Sequence, residues 1–206
     1  MTAKFKLLLV VGVVLLSLTM PSALRADVCG SVAGNLVANC GFETGDFTGW
    51  TIIPAAAGSD LHIFGSPVNS GNWSAGFGAV SGLNDYIYQD LTTTPGGIYD
   101  VTFYLATGSV SSTGQFVANW GGSNIFTQTG GTNSGSVFTE YSFDEAATAS
   151  STQLEFGGNT PPSWYYLDDV SVVYTGTTVT PEPSIILLLG TGLMGLGGLL
   201  KRRILG

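Results

Sequence analysis

Ile98-Tyr99-Asp100-Val101-Thr102-Phe103-Tyr104-Leu105-Ala106 is the stretch that decides the fold. Tyr99, Val101, Phe103 and Leu105 fall on one side of an extended chain, and Asp100 and Thr102 on the other. A period of two marks a strand with one buried and one wet face. The alternation returns at Leu61-His62-Ile63-Phe64, at Tyr86-Ile87-Tyr88-Gln89-Asp90-Leu91 and at Val137-Phe138-Thr139-Glu140-Tyr141-Ser142-Phe143. Gly, Asn, Ser and Pro punctuate these segments, and roughly nine or ten of them fit between residues 27 and 174. Turn signals at that spacing predict an all-β sandwich. The scarcity of Lys, Arg and Gln and the wealth of Gly, Ser, Thr, Asn and aromatics point the same way. No internal repeat is visible.

Charge is distributed unevenly. The six basic residues are Lys4, Lys6, Arg25, Lys201, Arg202 and Arg203, so none lies within residues 27–200. All fourteen acidic residues lie between Asp27 and Glu182. A region without Lys or Arg cannot neutralise phosphates, which excludes nucleic acid as a partner and excludes attachment of that region to anionic lipid. The acidity favours solubility, and it leaves carboxylates free to hold a hard cation.

The two ends read as addresses. Lys4 and Lys6 precede an apolar run over residues 7–16, which is too short to span a membrane and suits a signal peptide. Cleavage is expected after Ala26, with Ala23 as the alternative, giving a signal peptide over residues 1–26. Asp27 and Val28 before Cys29 do not make a lipidation motif. At the other end, residues 184–200 are uncharged and would measure about 26 Å as a helix, the short end of a transmembrane span. Lys201, Arg202 and Arg203 follow at once and would stay cytoplasmic, which leaves the preceding domain outside.

Pro181-Glu182-Pro183, the span and the terminal basic cluster stand in the order and spacing of the PEP-CTERM sorting domain of Gram-negative bacteria, which residues 180–206 resemble. The resemblance implies recognition by an exosortase and removal of the tail during export, in hosts that make exopolysaccharide. It implies an inner-membrane-anchored precursor that ends at the cell surface or in the extracellular matrix. The expected organisation is a domain over residues 27–174, a linker over 175–180 and a sorting tail over 181–206.

Three further stretches resemble the galactose-binding-like jelly-roll modules common among carbohydrate-binding domains. They are Asn35-Leu36-Val37-Ala38-Asn39-Cys40-Gly41-Phe42-Glu43 with Gly45-Asp46-Phe47-Thr48-Gly49-Trp50; Tyr88-Gln89-Asp90-Leu91 through Pro95-Gly96-Gly97 to Tyr99-Asp100-Val101-Thr102-Phe103; and Trp164-Tyr165-Tyr166-Leu167-Asp168-Asp169-Val170-Ser171-Val172. Cys40 stands where that pattern usually has Gly. The resemblance implies a jelly-roll and a structural Ca²⁺ where the opening segment meets the closing strand. Its ligands would be Glu43 and Asp168, helped by Asp169 and Asp46.

Sugar binding uses exposed aromatic rings beside polar groups. Trp50 and Trp164 fall where the motifs place core residues. Trp73 and Trp120, flanked by Asn and by Ser or Gly, are the expected ligand contacts. Cys29 and Cys40, an even pair outside the cytoplasm, are expected to form a disulfide that contributes about 3 kcal/mol by closing a short loop. His62, the one histidine, has no nucleophile motif beside it, and no carboxylate pair is singled out by spacing. The sequence thus predicts a non-catalytic exported protein that binds polysaccharide. The rivals are a secreted glycan hydrolase and a matrix protein with no defined ligand.

Overall fold

The computed structural model describes residues 26–80, 82–108, 110–131, 137–160 and 162–177. The signal segment before residue 26, the span over 184–200, Pro181, Glu182, Pro183 and the basic cluster lie outside them. Ten strands form: β1 (Thr51–Ile53), β2 (Leu61–Phe64), β3 (Ser74–Phe77), β4 (Asp85–Thr92), β5 (Gly97–Thr107), β6 (Val110–Trp120), β7 (Ser123–Gly131), β8 (Thr139–Ala146), β9 (Ser151–Asn159) and β10 (Tyr165–Thr177). They assemble into two five-stranded antiparallel sheets, β1-β4-β9-β6-β7 and β2-β3-β10-β5-β8. This is the sandwich the alternation predicts, with the jelly-roll architecture that the resemblance implies.

β5 behaves as its pattern requires. Tyr99, Val101, Phe103 and Leu105 are buried, while Asp100, Thr102 and Tyr104 alternate with them. Phe103 sits where the sheets face each other. Its ring meets Phe156 of β9 edge-on at 5.2 Å and Phe126 of β7 at 5.5 Å, both from the opposite sheet. Phe77 and Tyr165 reach across to Phe116 in the same way, at 5.4 and 5.6 Å. Each buried ring removes 150–250 Å² from water, so this row supplies a large part of the apolar burial.

The opening segment is not a strand. Residues 32–50 run as turns, and a short 3₁₀ turn over Cys29–Ser31 precedes them. Asn35 stitches this segment to β10: its Nδ2 donates to the carbonyl of Val170 at 3.1 Å, and its Oδ1 accepts from the N–H of Val172 at 2.9 Å. The expected disulfide joins Cys29 and Cys40. It links the 3₁₀ turn to a tight turn around Cys40. The closing strand runs past the expected domain end at residue 174, with Gly176 and Thr177 pairing with Ile98 and Gly97. Among the described residues no helix is long and apolar enough to cross a membrane.

Candidate functional site

The outer face of the first sheet carries two straight rows of side chains. Thr51, Tyr88, Glu155 and Asn119 lie side by side across β1, β4, β9 and β6, and Ile53, Tyr86, Gly157 and Val117 form the next row. The buried Ile87 fixes Tyr86 and Tyr88 on the wet side, about 7 Å apart along β4. Gly157 matters here. A Cβ at that position would overlap the ring of Tyr86, so the absence of a side chain lets the ring cover the strand beneath it. Beside the rings, Asn119 Nδ2 donates to Glu155 Oε1 at 2.8 Å, and Asn124 Nδ2 donates to Asn119 Oδ1 at 3.1 Å. Half-buried rings next to a fixed line of amide and carboxylate groups make a surface that stacks on apolar ligand faces and exchanges hydrogen bonds with hydroxyls.

The expected metal ligands lie elsewhere, and all but Asp46 act on one loop. A bulge in β10 separates the pairing of Asp168 from that of Ser171, and Asp169 takes φ +46° there. This turns two consecutive aspartates inward, where strict alternation would expose one. Asp168 Oδ2 accepts from the N–H of Asn69 at 2.7 Å, and Asp169 accepts from Asn69 Nδ2 and Ser70 Oγ, both at 2.7 Å. Glu43 grips the far end of the same loop, accepting from the N–H groups of Asn72 and Trp73 at 2.7 and 3.1 Å. Gly71 sits between them at φ +56°, and a Cβ there would overlap the Glu43 carboxylate. Asp46 instead caps its own turn, accepting from Thr44 Oγ1 at 2.7 Å and the N–H of Thr48 at 2.9 Å; these bonds hold its pKa below the usual value.

The hard oxygens of Asp168, Asp169 and Glu43 are of the type Ca²⁺ takes, and no Lys or Arg lies among the described residues to balance them. Among the described residues, however, the one cluster of three metal-ligating side chains is Asp27, Cys29 and Cys40, whose cysteines are bridged. A second acidic feature lies between the 3₁₀ turn and the outer face of the second sheet. It is a cavity of about 230 Å³ with Asp100, Glu140, Asp169 and Tyr104 on its walls. Burial first, and then the bond to Glu140, raise the pKa of Tyr104.

Of the two tryptophans expected at a ligand rim, Trp120 is corrected by the structure. It is 3% exposed, packs on Tyr99 and donates its indole N–H to the carbonyl of Ala146 at 3.0 Å. An indole whose N–H finds one carbonyl is better buried than wet, and its neighbour Asn119 faces out instead. Trp73 is half-buried, packed against the core beside Gly45 and Gly65. Tyr86, Tyr88 and Glu155 went unread as a site. The alternation of β4 signals which way the tyrosines face, but nothing local signals that Gly157 and Glu155 lie beside them.

Comparison with known proteins agrees with both halves of this picture. Residues 179–203 match the PEP-CTERM protein-sorting motif, which marks an exported protein with a C-terminally anchored precursor. No curated protein matches the chain. The sandwich is similar to TmCBM61, a module solved in complex with β-1,4-galactotriose, with a TM-score of 0.55 at 14% identity over 68% of this chain and 99% of that one. It is also similar to the xylan-binding domain of carbohydrate-binding module family 22, with a TM-score of 0.52 at 14% identity over 72% of this chain and 100% of the other. A third similar structure is the family 22 and catalytic module pair of Clostridium thermocellum xylanase 10B, solved with xylohexaose. There the TM-score is 0.51 at 18% identity, over 71% of this chain and 30% of that one. At these identities the likeness defines the fold: a jelly-roll of the carbohydrate-binding-module type, followed by a PEP-CTERM tail.

Asp168 has a pH consequence. Burial, and then the charge of Asp169, push its carboxyl up to about 8, against the pull of the N–H groups of Asn69, Asp169 and Ser70. A folded-state pKa above the unfolded value gives stability that is complete below the ordinary carboxylate range and is lost as pH rises through about 8. In metal-free buffer the melting temperature should therefore fall between about pH 5 and pH 9. Asp168→Asn should flatten that slope, and an unchanged slope in the variant would show that other groups set it.

Proposed function

We propose that this is a non-catalytic exported protein that binds neutral polysaccharide on the outer face of its first sheet. The observation that carries the reading is the pair of half-buried rings, Tyr86 over Gly157 and Tyr88 in the row of Glu155 and Asn119. Ring faces attract the C–H groups of a pyranose, and the fixed amide and carboxylate groups meet its hydroxyls. A domain without cations has nothing to hold an anionic polymer, so neutral glycans are the class that fits. The similar structures were solved with β-1,4-galactotriose and xylohexaose or bind xylan, which supplies a first panel. His62 faces Asp60 at 2.9 Å, and its ring lies against Phe64 and Trp164. Titration calorimetry with β-1,4-galactan and xylan oligosaccharides tests the reading. Tyr88→Ala and Glu155→Gln should each weaken binding by about tenfold or more while leaving the melting temperature within a few degrees. Wild-type protein that binds none of them would refute it.

The tail delivers the domain. Pro181 and Pro183 lack N–H groups and restrict the residues before them, so the triplet is expected to be extended, with Glu182 presented just outside the membrane to an exosortase. Release at the cell surface or into the extracellular matrix follows. Glu182→Ala, followed by fractionation of a host that has an exosortase, should accumulate an unprocessed membrane-bound form. Unaltered processing would make residues 184–200 a plain anchor.

Ca²⁺ is a separate proposal. Asp168 and Glu43, with Asp169 beside them, would hold the ion through the loop over residues 69–73, and it would supply the positive charge the paired aspartates lack. Excess Ca²⁺ should raise the melting temperature over EDTA by several degrees through native-state binding, and Glu43→Ala should erase the difference. Superimposable wild-type curves would retire the ion.

A further inference from the structure

The second sheet also turns aromatic side chains outward. Leu61 and Ile63 of β2 pack against the core, which leaves His62 and Phe64 on the opposite face. Tyr165 and Leu167 of β10 are fully buried, which leaves Tyr166 facing out, with Trp164 just before the strand. These four form one cluster. Phe64 meets Trp164 at 4.9 Å and Tyr166 at 5.4 Å, both edge-on, and His62 meets Trp164 at 5.3 Å. The core is complete without them.

The support beneath the cluster repeats that of the first sheet. Gly76 of β3 lies between His62 and Tyr166 in the cross-strand row. A Cβ on Gly76 would overlap Phe64, and one on Gly78 would come within 2.6 Å of the Trp164 ring. The rings therefore cover bare backbone, as Tyr86 covers Gly157. The polar rim is fixed as well. Asp60 holds His62 Nε2 at 2.9 Å, its own N–H is bound by the buried Asp85 at 2.8 Å, and its carbonyl accepts from the N–H of Gly78 at 2.8 Å.

We propose that this cluster is a second glycan-binding face, so that one molecule bridges two polysaccharide chains. The proposal rests on the glycan reading of the first sheet and adds bivalence to it. The occupant is a neutral glycan because of charge. No Lys or Arg lies in the described domain to attract an anionic polymer. Ring faces carry the negative end of their quadrupole toward incoming C–H groups, and the Asp60 carboxylate, 37% exposed, accepts from hydroxyls. The two faces lie on opposite sides of the sandwich, so one chain of sugar cannot fill both. Bivalent attachment raises avidity and ties strands together.

Full-length protein in detergent is titrated with xylohexaose and with β-1,4-galactotriose, and light scattering is followed on adding it to long xylan or galactan. The expected result is two oligosaccharides per chain, one lost with Tyr88→Ala and the other with Trp164→Ala, and either change abolishing the rise in scattering. His62→Ala and Phe64→Ala guard against misfolding: His62 is largely exposed, and both should weaken only the second site, by about tenfold. One oligosaccharide per chain, lost with Tyr88→Ala and untouched by Trp164→Ala, would overturn the second face and leave the first standing. A wild type that self-associates without sugar, and becomes monomeric with Trp164→Ala, would make the cluster a contact between copies and overturn the proposal. No binding of either sugar would overturn both readings.

Discussion

The constraint on which the structure depends is the absence of cations. A domain that buries acids with no Lys or Arg must satisfy them with N–H and O–H groups. Asp85 is fully buried and accepts from the N–H groups of Ala55 and Asp60 at 2.7 and 2.8 Å. Asp168 and Asp169 bind one end of the loop over residues 69–73, and Glu43 binds the other. No buried side-chain oxygen or nitrogen among the described residues is left without a partner. The carboxylates thus act as pins for irregular backbone, and the loops they pin flank β2. Its outward ring, Phe64, is held in place by bonds that begin at acids in β4 and β10.

Between the pins, the core is aromatic. Phe103, Phe116, Phe126 and Phe156 join the sheets through edge-on and stacked contacts. Such packing leaves little room for rings on the outer faces to sink inward, so Tyr86, Tyr88, Phe64 and Trp164 stay at the surface. Glycines at 157, 76 and 78 decide how they lie, because only a strand without a Cβ lets a ring cover it. An outward ring on bare backbone keeps one face for the strand and another for a ligand.

The two halves of the chain suit one another. A domain with no Lys or Arg within residues 27–177 offers no positive charge to anionic polymers or anionic lipid. The sorting motif holds Lys201, Arg202 and Arg203, the positive charges near the C-terminus. That positive charge therefore resides in a segment separate from the sandwich.

Local pattern by itself determined the strands, the inward and outward residues of β5 and β4, the cysteine pair, the C-terminal sorting motif and the all-β sandwich class. These are legible because side-chain alternation, turn residues and apolar length act over a few neighbouring residues. The opening Asn35 and the closing Asp168-Asp169 were legible as motifs. Their work as clamps was not, since the partners of Asp168 lie about a hundred residues away. Tertiary structure alone decided that the bulge with Asp169 at φ +46° buries both aspartates, and that Trp120 finds the carbonyl of Ala146 and goes inside. It alone decided that β4 pairs with β9, which brings Glu155 and Gly157 beside Tyr88 and Tyr86. The physical reason is the same in each case. Pairing between strands distant in sequence is set by the packing of the whole sandwich, and period-two alternation says which way a residue faces without saying what lies next to it.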